Sequence, residues 1–203
     1  MMKKNIRLYN AGSGECFGDT NGQAANEKTS FYPMSPYAVA KSSAYWLVNN
    51  YRDAYNLFAC TGILFNHESP LRPERFVTQK IIHAVKRIAT GSTEKLKLGR
   101  LDIARDWGWA PEYVEAMWLM LQQDEAENYV VATGIAITLE NFVRTAFGCA
   151  GLNWENHVIQ DKKLFRPADA IISFGDPSKA FKKLGWKAET QGVEVVEKMY
   201  QSI

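Results

Sequence analysis

A helix signal set between two strand-like segments constrains this chain most. Ser35-Pro36 puts a capping hydroxyl and a first-turn proline at the head of a segment with no breaker through Tyr55. Both residues suit that place because the first amides of a helix lack intrahelical partners. Ahead of it, residues 5–9, Asn-Ile-Arg-Leu-Tyr, alternate and run into a Gly/Ser stretch, the pattern of a short strand ending in a loop. Behind it, Leu57 to Phe65 is apolar and β-rich, a candidate buried strand. The rest of the chain repeats the alternation. Helices are predicted at 75–89, 111–122, 138–147 and 191–201, with a short one after Asp176-Pro177, and strands at 96–98 and 129–133, with a weak one near Val158. The 75–89 segment carries Phe76, Ile81, Ile82, Val85 and Ile88 on one side and stops at Gly91. Strands that alternate with helices predict an α/β fold with a largely parallel sheet.

Composition narrows the function classes. The 24 basic and 22 acidic side chains nearly balance and form no dense basic block, so no nucleic-acid partner is expected. Six Trp, nine Tyr and ten Phe supply a well-packed core. The cysteines, Cys16, Cys60 and Cys149, are odd in number, far apart and in no C-x-x-C pair, which fits a reducing, cytoplasmic setting without disulfides. The N-terminal MMKKNIRLYN lacks the run of about 7–15 apolar residues of a signal peptide. No apolar run approaches the roughly 18 residues of a membrane span, so no membrane partner is expected.

Two motifs carry chemistry. Gly12-Ser13-Gly14-Glu15-Cys16-Phe17-Gly18 invites a dinucleotide-loop reading, but that loop needs a helix directly after the glycines to hold the pyrophosphate. Asp19-Thr20-Asn21-Gly22 does not start one, so the stretch reads as a strand-end loop presenting Ser13 and Glu15. Tyr37-x-x-x-Lys41 places a phenol and an ammonium on one helical face. A nearby cation favours the phenolate, which makes a tyrosine usable as a base. His67-Glu68 lacks the second histidine of a zinc-protease helix, because position 71 is Leu, and no metal is expected.

Ser, Tyr and Lys in this order resemble the short-chain dehydrogenase/reductase superfamily. The runs Ser35-Pro36-Tyr37-Ala38-Val39-Ala40-Lys41, Asn49-Asn50-Tyr51-Arg52-Asp53-Ala54-Tyr55, Gly62-Ile63-Leu64-Phe65-Asn66-His67-Glu68-Ser69-Pro70, Arg105-Asp106-Trp107-Gly108, Tyr113-Val114-Glu115-Ala116-Met117-Trp118 and Gly175-Asp176-Pro177-Ser178-Lys179-Ala180 resemble the GDP-mannose 4,6-dehydratase family. The likeness runs from about residue 6 to the C-terminus, with Gly14 standing where the family carries Ser.

The resemblance implies the fold of an extended short-chain reductase, a Rossmann domain followed by a smaller nucleotide-sugar region. Residues 1–66 would belong to the former, and residues 67–203 mostly to the latter, intermixed with returning Rossmann elements. It implies Ser13, Glu15, Tyr37 and Lys41 as catalytic residues and NADP as cofactor, touched by Tyr37, Lys41, His67 and Arg72. Asn66, Thr78, Lys80, Arg105 and Arg166 would contact GDP-mannose or a similar sugar nucleotide. Guanidinium forks match phosphate oxygens, which suits Arg105 and Arg166 to a diphosphate clamp; the alternative for Arg105 is an ion pair with Asp106. Trp107, Trp109, Trp118, Met117 and Met120 read as packing.

Length is the anomaly. A Rossmann half ahead of the catalytic strand takes on the order of 100 residues, at roughly 30 per strand–helix–strand unit, yet only 36 precede Tyr37. The expectation is a C-terminal part that works with a complementing N-terminal fragment or as a homo-oligomer. The alternatives are a non-catalytic homologue that binds a nucleotide sugar or pairs with a full-length enzyme, and a related nucleotide-sugar epimerase.

Overall fold

The structure, a computed structural model, describes residues 6–165 and 170–203. Strand β1 (Leu8–Ser13) lies parallel to β2 (Ala59–Leu64), which lies parallel to β6 (Tyr129–Val131). Helix α1 (Pro36–Tyr55) makes the crossover from β1 to β2. Its start is as expected: Ser35 Oγ accepts the Ala38 amide at 3.0 Å and Pro36 opens the first turn.

β2 is buried along its whole length, and alternate residues feed different cores. Cys60 and Leu64, with Tyr129 and Val131 of β6, pack under helices α3 (Ala110–Gln122) and α5 (Ser178–Leu184). Ile63 and Phe65, with Val130 and Ala132, pack with Phe17, Phe31 and Tyr45 on the other side. A strand covered on both faces reads as a continuous apolar run, which is why it was visible in sequence.

A second sheet holds β5 (Ala104–Trp109) between β3 (Asn66–Glu68), parallel to it, and β7 (Ala136–Thr138), antiparallel; β9 (Ile172–Ser173) also pairs with β5 in parallel. A two-stranded parallel sheet pairs β4 (Leu96–Leu98) with β8 (Val158–Gln160). Helices α2 (Val77–Ala89), α4 (Leu139–Cys149) and α6 (Val193–Gln201) enclose the largest core, around Ile81, Ile82, Val85, Trp107, Phe142, Phe147 and Met199. The result is an α/β fold with parallel sheets.

Two expectations need correction. The first strand begins later and runs longer than residues 5–9, of which residue 5 lies outside the described residues: β1 takes in the glycine stretch through Ser13 because each residue finds a parallel partner on β2. Trp118 is not core, being 59% exposed on the outer side of α3, whereas Trp107, Trp109 and Met120 are buried. The core-like spacing of Met117, Trp118 and Met120 could not say which side of α3 would be covered. Strands β3, β5, β7 and β9 were absent from the sequence reading. They are short or rich in Trp, Asp and Arg, and long-range pairing rather than propensity makes them strands.

The β1–β2 contact is tight at Gly62, where a Cβ would fall 2.4 Å from the Tyr9 hydroxyl and 3.0 Å from its ring. Gly62→Ala is expected to destabilise the protein by about 1–3 kcal/mol in urea unfolding, because overpacking forces the ring or the strands to move. Tyr9→Phe alone should be close to neutral, since the buried hydroxyl has no partner, and in the Gly62→Ala background it should recover part of the loss.

Candidate active site

Ser13, Glu15, Tyr37 and Lys41 gather where β1 ends. Ser13 stands opposite Leu64 in the parallel register, and β3 starts two residues beyond Leu64. In open parallel α/β sheets this carboxyl edge is where ligands bind, because the loops leave there.

β1 leads into one 3-10 turn, Gly14–Phe17. Ser13 caps it: its Oγ accepts the Glu15 amide at 3.3 Å, while the Glu15 side chain is exposed. A Cβ on Gly14 would meet the Phe65 ring at 3.0 Å, so the glycine lets the turn close against β2. Gly18 ends it at φ +65°, a left-handed conformation with the Tyr32 carbonyl where a Cβ would stand. Beneath the turn Cys16 packs on the first turn of α1, its Sγ 3.8 Å from the Ala38 carbonyl. Burial pushes its thiol pKa up.

On α1, Lys41 Nζ donates to the Ala11 carbonyl at 2.9 Å, two residues before Ser13, and sits 5.8 Å from the Tyr37 ring centroid. The helix start is thus tied to the strand end. Tyr37, 51% exposed, stands one turn back from Lys41. Ser13, Glu15, Tyr37 and Lys41 are brought to one end of the sheet, with the phenol and the carboxylate both reaching solvent.

The second group sits on β3 and the loop after it. His67 Nδ1 is 2.8 Å from the Phe65 carbonyl and the ring stacks on Tyr113 at 4.9 Å; burial lowers its pKa. Glu68 is 1% exposed; its Oε2 accepts from Thr78 Oγ1 at 2.9 Å and lies 3.3 Å from Arg72 Nε. Burial raises the Glu68 pKa from 4.5 to about 7, although Arg72 and Thr78 both pull it down. Thr78 therefore spends its hydroxyl on Glu68 from a buried position, and Lys80 donates to the Lys97 carbonyl at 2.7 Å. Asn66 is half-buried, opposite Trp107 in the β3–β5 register.

Arg105 is half-buried and donates to the carbonyls of Ala104 and Ala170. It does not pair with Asp106, as the alternative for it supposed. Successive strand residues face opposite sides, and Asp106 is wholly buried, accepting from Thr133 N at 3.0 Å, Thr133 Oγ1 at 2.7 Å, Gly134 N at 2.9 Å and Gly175 N at 3.3 Å. Burial raises its pKa and these four donors oppose the rise. Asp106 thereby ties the loop after β6 to the Gly175-Asp176-Pro177 turn. Arg166 lies outside the described residues.

Sequence reasoning passed over Glu68 and Asp106 as site builders. The i, i+4 spacing of Glu68 and Arg72 was a usable signal; the role of Asp106 depends on residues 27 to 69 positions away and had none.

The fold is that of short-chain reductase-type nucleotide-sugar enzymes. "RMD from Pseudomonas aeruginosa complexed with NADPH" superposes with a TM-score of 0.88 at 20% identity, covering 98% of this chain and 67% of that one. A UDP-N-acetylglucosamine 4-epimerase from Methanobrevibacter ruminantium M1, in complex with UDP-N-acetylmuramic acid, gives 0.83 at 21% identity over 97% and 62%. Residues 1–199 match the sequence family described as "GDP-mannose 4,6 dehydratase". GDP-mannose 4,6 dehydratase 2 of Arabidopsis thaliana is 52% identical over 196 residues, 97% of this chain and 52% of that protein, and the Homo sapiens GDP-mannose 4,6 dehydratase is 44% identical over 211 residues, 96% and 57%. The chain belongs to the GDP-mannose 4,6-dehydratase family, and it spans about half the length of the relatives it matches.

Glu68 sets a pH dependence of stability. With a folded-state pKa above its ordinary value, the folded protein holds the Glu68 proton between pH 4.5 and about 7 where the unfolded chain does not. Stability is therefore expected to rise as pH falls through 7 towards 4.5, by roughly 3 kcal/mol in total. Urea unfolding from pH 8 to 5 should show this slope in the wild type and lose it in Glu68→Gln.

Proposed function

We propose that this chain carries the catalytic residues of a GDP-mannose 4,6-dehydratase, a hydro-lyase that converts GDP-mannose to GDP-4-keto-6-deoxymannose. The observation that supports it most is the bond between Lys41 and the Ala11 carbonyl. It brings the Tyr37–Lys41 face of α1 to the Ser13–Glu15 turn, so that a base for a hydroxyl proton and a second base for a carbon-bound proton share one site.

Each residue has a part. Tyr37 takes the proton of the C4 hydroxyl, and Lys41 favours the phenolate that receives it. Glu15, exposed at the turn, removes the C5 proton once a C4 ketone has acidified it. Water leaves from C6 with Ser13, whose hydroxyl oxygen already accepts from the Glu15 amide, or Glu15 assisting, the proton taken from C5 being the one the C6 hydroxyl needs in order to leave as water. A second base is what an elimination needs and a simple C4 epimerisation does not, which favours a dehydratase over an epimerase. Asn66, Thr78, Lys80, Arg105 and Arg166 are proposed on the sugar-nucleotide side, Thr78 acting from behind Glu68. Residues 1–66 would form the cofactor side, and 67–203 mostly the substrate side.

NADP, when bound, supplies the hydride acceptor and donor of the cycle and is not consumed. Tyr37, Lys41, His67 and Arg72 would hold it. The residues suit such a ligand: Tyr37 is half exposed at the strand ends, and the Arg72 side chain is 27% exposed. Solved neighbours carry NADPH or NAD, which supports a nicotinamide cofactor; the choice of NADP rests on the family resemblance and on the NADPH of the Pseudomonas aeruginosa neighbour. The outer side of β1 pairs with no strand among the described residues, so further strands, from a preceding segment, a complementing fragment or a second copy, can add there. Cys16 and Cys60 are buried and unpaired, which supports a reducing, cytoplasmic setting.

Two outcomes test this reading. The 203-residue chain alone should show no NADP binding by calorimetry, and robust micromolar binding would overturn the need for added strands. Mixed with an N-terminal fragment from a family member, it should dehydrate GDP-mannose. Tyr37→Phe should then lower turnover by about 10²–10⁴-fold; undiminished turnover would exclude Tyr37 as the base.

A further inference from the structure

Glu68 is a buried carboxylate near the strand ends that the proposed chemistry leaves without a task. It is 1% exposed and held by Thr78 Oγ1 at 2.9 Å from α2 and by Arg72 Nε at 3.3 Å from the loop. Keeping an ionisable group there costs stability, since burial outweighs the pull of Arg72 and Thr78 and leaves its pKa raised to about 7. A glutamine or an apolar residue would fill the space without that cost.

The surroundings show what the carboxylate does. The Arg72 side chain, 27% exposed, is fixed from three directions. Its Nε faces Glu68 Oε2, its Nη1 points to the His67 carbonyl at 3.4 Å, and its guanidinium lies 4.0 Å over the Phe76 ring. The loop that carries it is pinned as well: Arg72 N donates to the Ser69 carbonyl at 3.1 Å, and the buried Gln79 Nε2 donates to the same carbonyl at 2.7 Å. Nη2 makes no hydrogen bond among the described residues. An arginine held at Nε and Nη1, with Nη2 between them unspent, is prepared for an anion, because a guanidinium has donors left to give and no acceptor to satisfy.

We propose that Glu68 is a positioning residue: from inside the fold its carboxylate sets the direction of the Arg72 guanidinium, so that the unspent donors meet a phosphate-class group of the ligand. This rests on the reading of Arg72 as a residue that holds NADP, whose phosphates are the anions in question. Arg72 is the charged group acting on Glu68; His67, next in the chain, carries a lowered pKa and is perturbed by Arg72 in turn. Glu68 works by orientation and against its own charge, since a carboxylate beside Arg72 lowers the positive potential that an anion feels.

That opposition makes the test a question of sign. The probe is inorganic pyrophosphate, which asks only for the Arg72 contact and not for the remaining NADP contacts that added strands would supply; it is titrated into the 203-residue chain at pH 8 and followed by NMR on the Arg72 side-chain Nε–H resonance, and absence of any binding in the wild type would overturn the proposal. Glu68→Gln is nearly isosteric and, by the pH argument above, no less stable, so its fold can be verified independently. Positioning predicts that Glu68→Gln weakens pyrophosphate binding, that Glu68→Ala weakens it further, by about tenfold, and that the Arg72 resonance loses its protection from solvent exchange in step. It further predicts that in the wild type this protection grows as pH rises past 7 while global stability falls, a split that a purely structural role does not produce. Equal or tighter binding in Glu68→Gln, with Arg72→Ala still weakening it, would overturn the positioning role and leave the Arg72 reading intact. No loss of binding in Arg72→Ala would remove the anion contact and the proposal with it.

Discussion

Six parallel residue pairs between β1 and β2, from Leu8 with Ala59 to Ser13 with Leu64, determine where the two polar segments of the chain leave the sheet. A parallel pair cannot be closed by a tight turn, so the chain must cross over, and the crossover is the twenty-residue α1. Its N-terminus comes to lie beside the C-terminal end of β1. The Lys41 bond to Ala11 and the packing of Cys16 under Ala38 fix that juxtaposition. Shifting the register by one residue would turn Ile63 and Leu64 to the wrong cores and move Ser13 away from the helix start.

Buried carboxylates organise the rest of the site. Asp106 holds Thr133, Gly134 and Gly175 by four hydrogen bonds, joining the loop after β6 to the turn that precedes α5. Glu68 joins α2 to the loop after β3 through Thr78 and Arg72. Both pay desolvation in order to tie together loops distant in sequence, an arrangement that apolar packing cannot supply because it has no direction. Glu27 does similar work at the outer edge of β6, where its carboxylate takes up the Val130 amide at 2.7 Å.

Much of this was legible beforehand. The α1 boundaries followed from Ser35, Pro36 and the unbroken run to Tyr55, since capping is a local matter decided within four residues. Strand β2 was visible because both its faces are buried, and the pairing of Tyr37 with Lys41 because helical spacing is fixed. Strands β3, β5, β7 and β9 were not. Asn66-His67-Glu68 has no strand propensity and becomes β3 only by lying against Trp107, Gly108 and Trp109. The exposure of Trp118 and the direction taken by Arg105 had the same origin, because a pattern shows which residues share a face and not which face is covered.

The sequence by itself determined the α/β class, the helix that carries Tyr37 and Lys41, the turn that presents Ser13 and Glu15, and the family, since contiguous motifs and local capping need no partner. Only the tertiary structure decided that Arg72 is held by Glu68, that Thr78 turns inward, and that Asp106 serves the loops rather than Arg105. Those outcomes depend on which buried donors meet which buried acceptors. That is settled by the burial of the surrounding apolar residues, and the local sequence of Glu68 or Asp106 carries no trace of it.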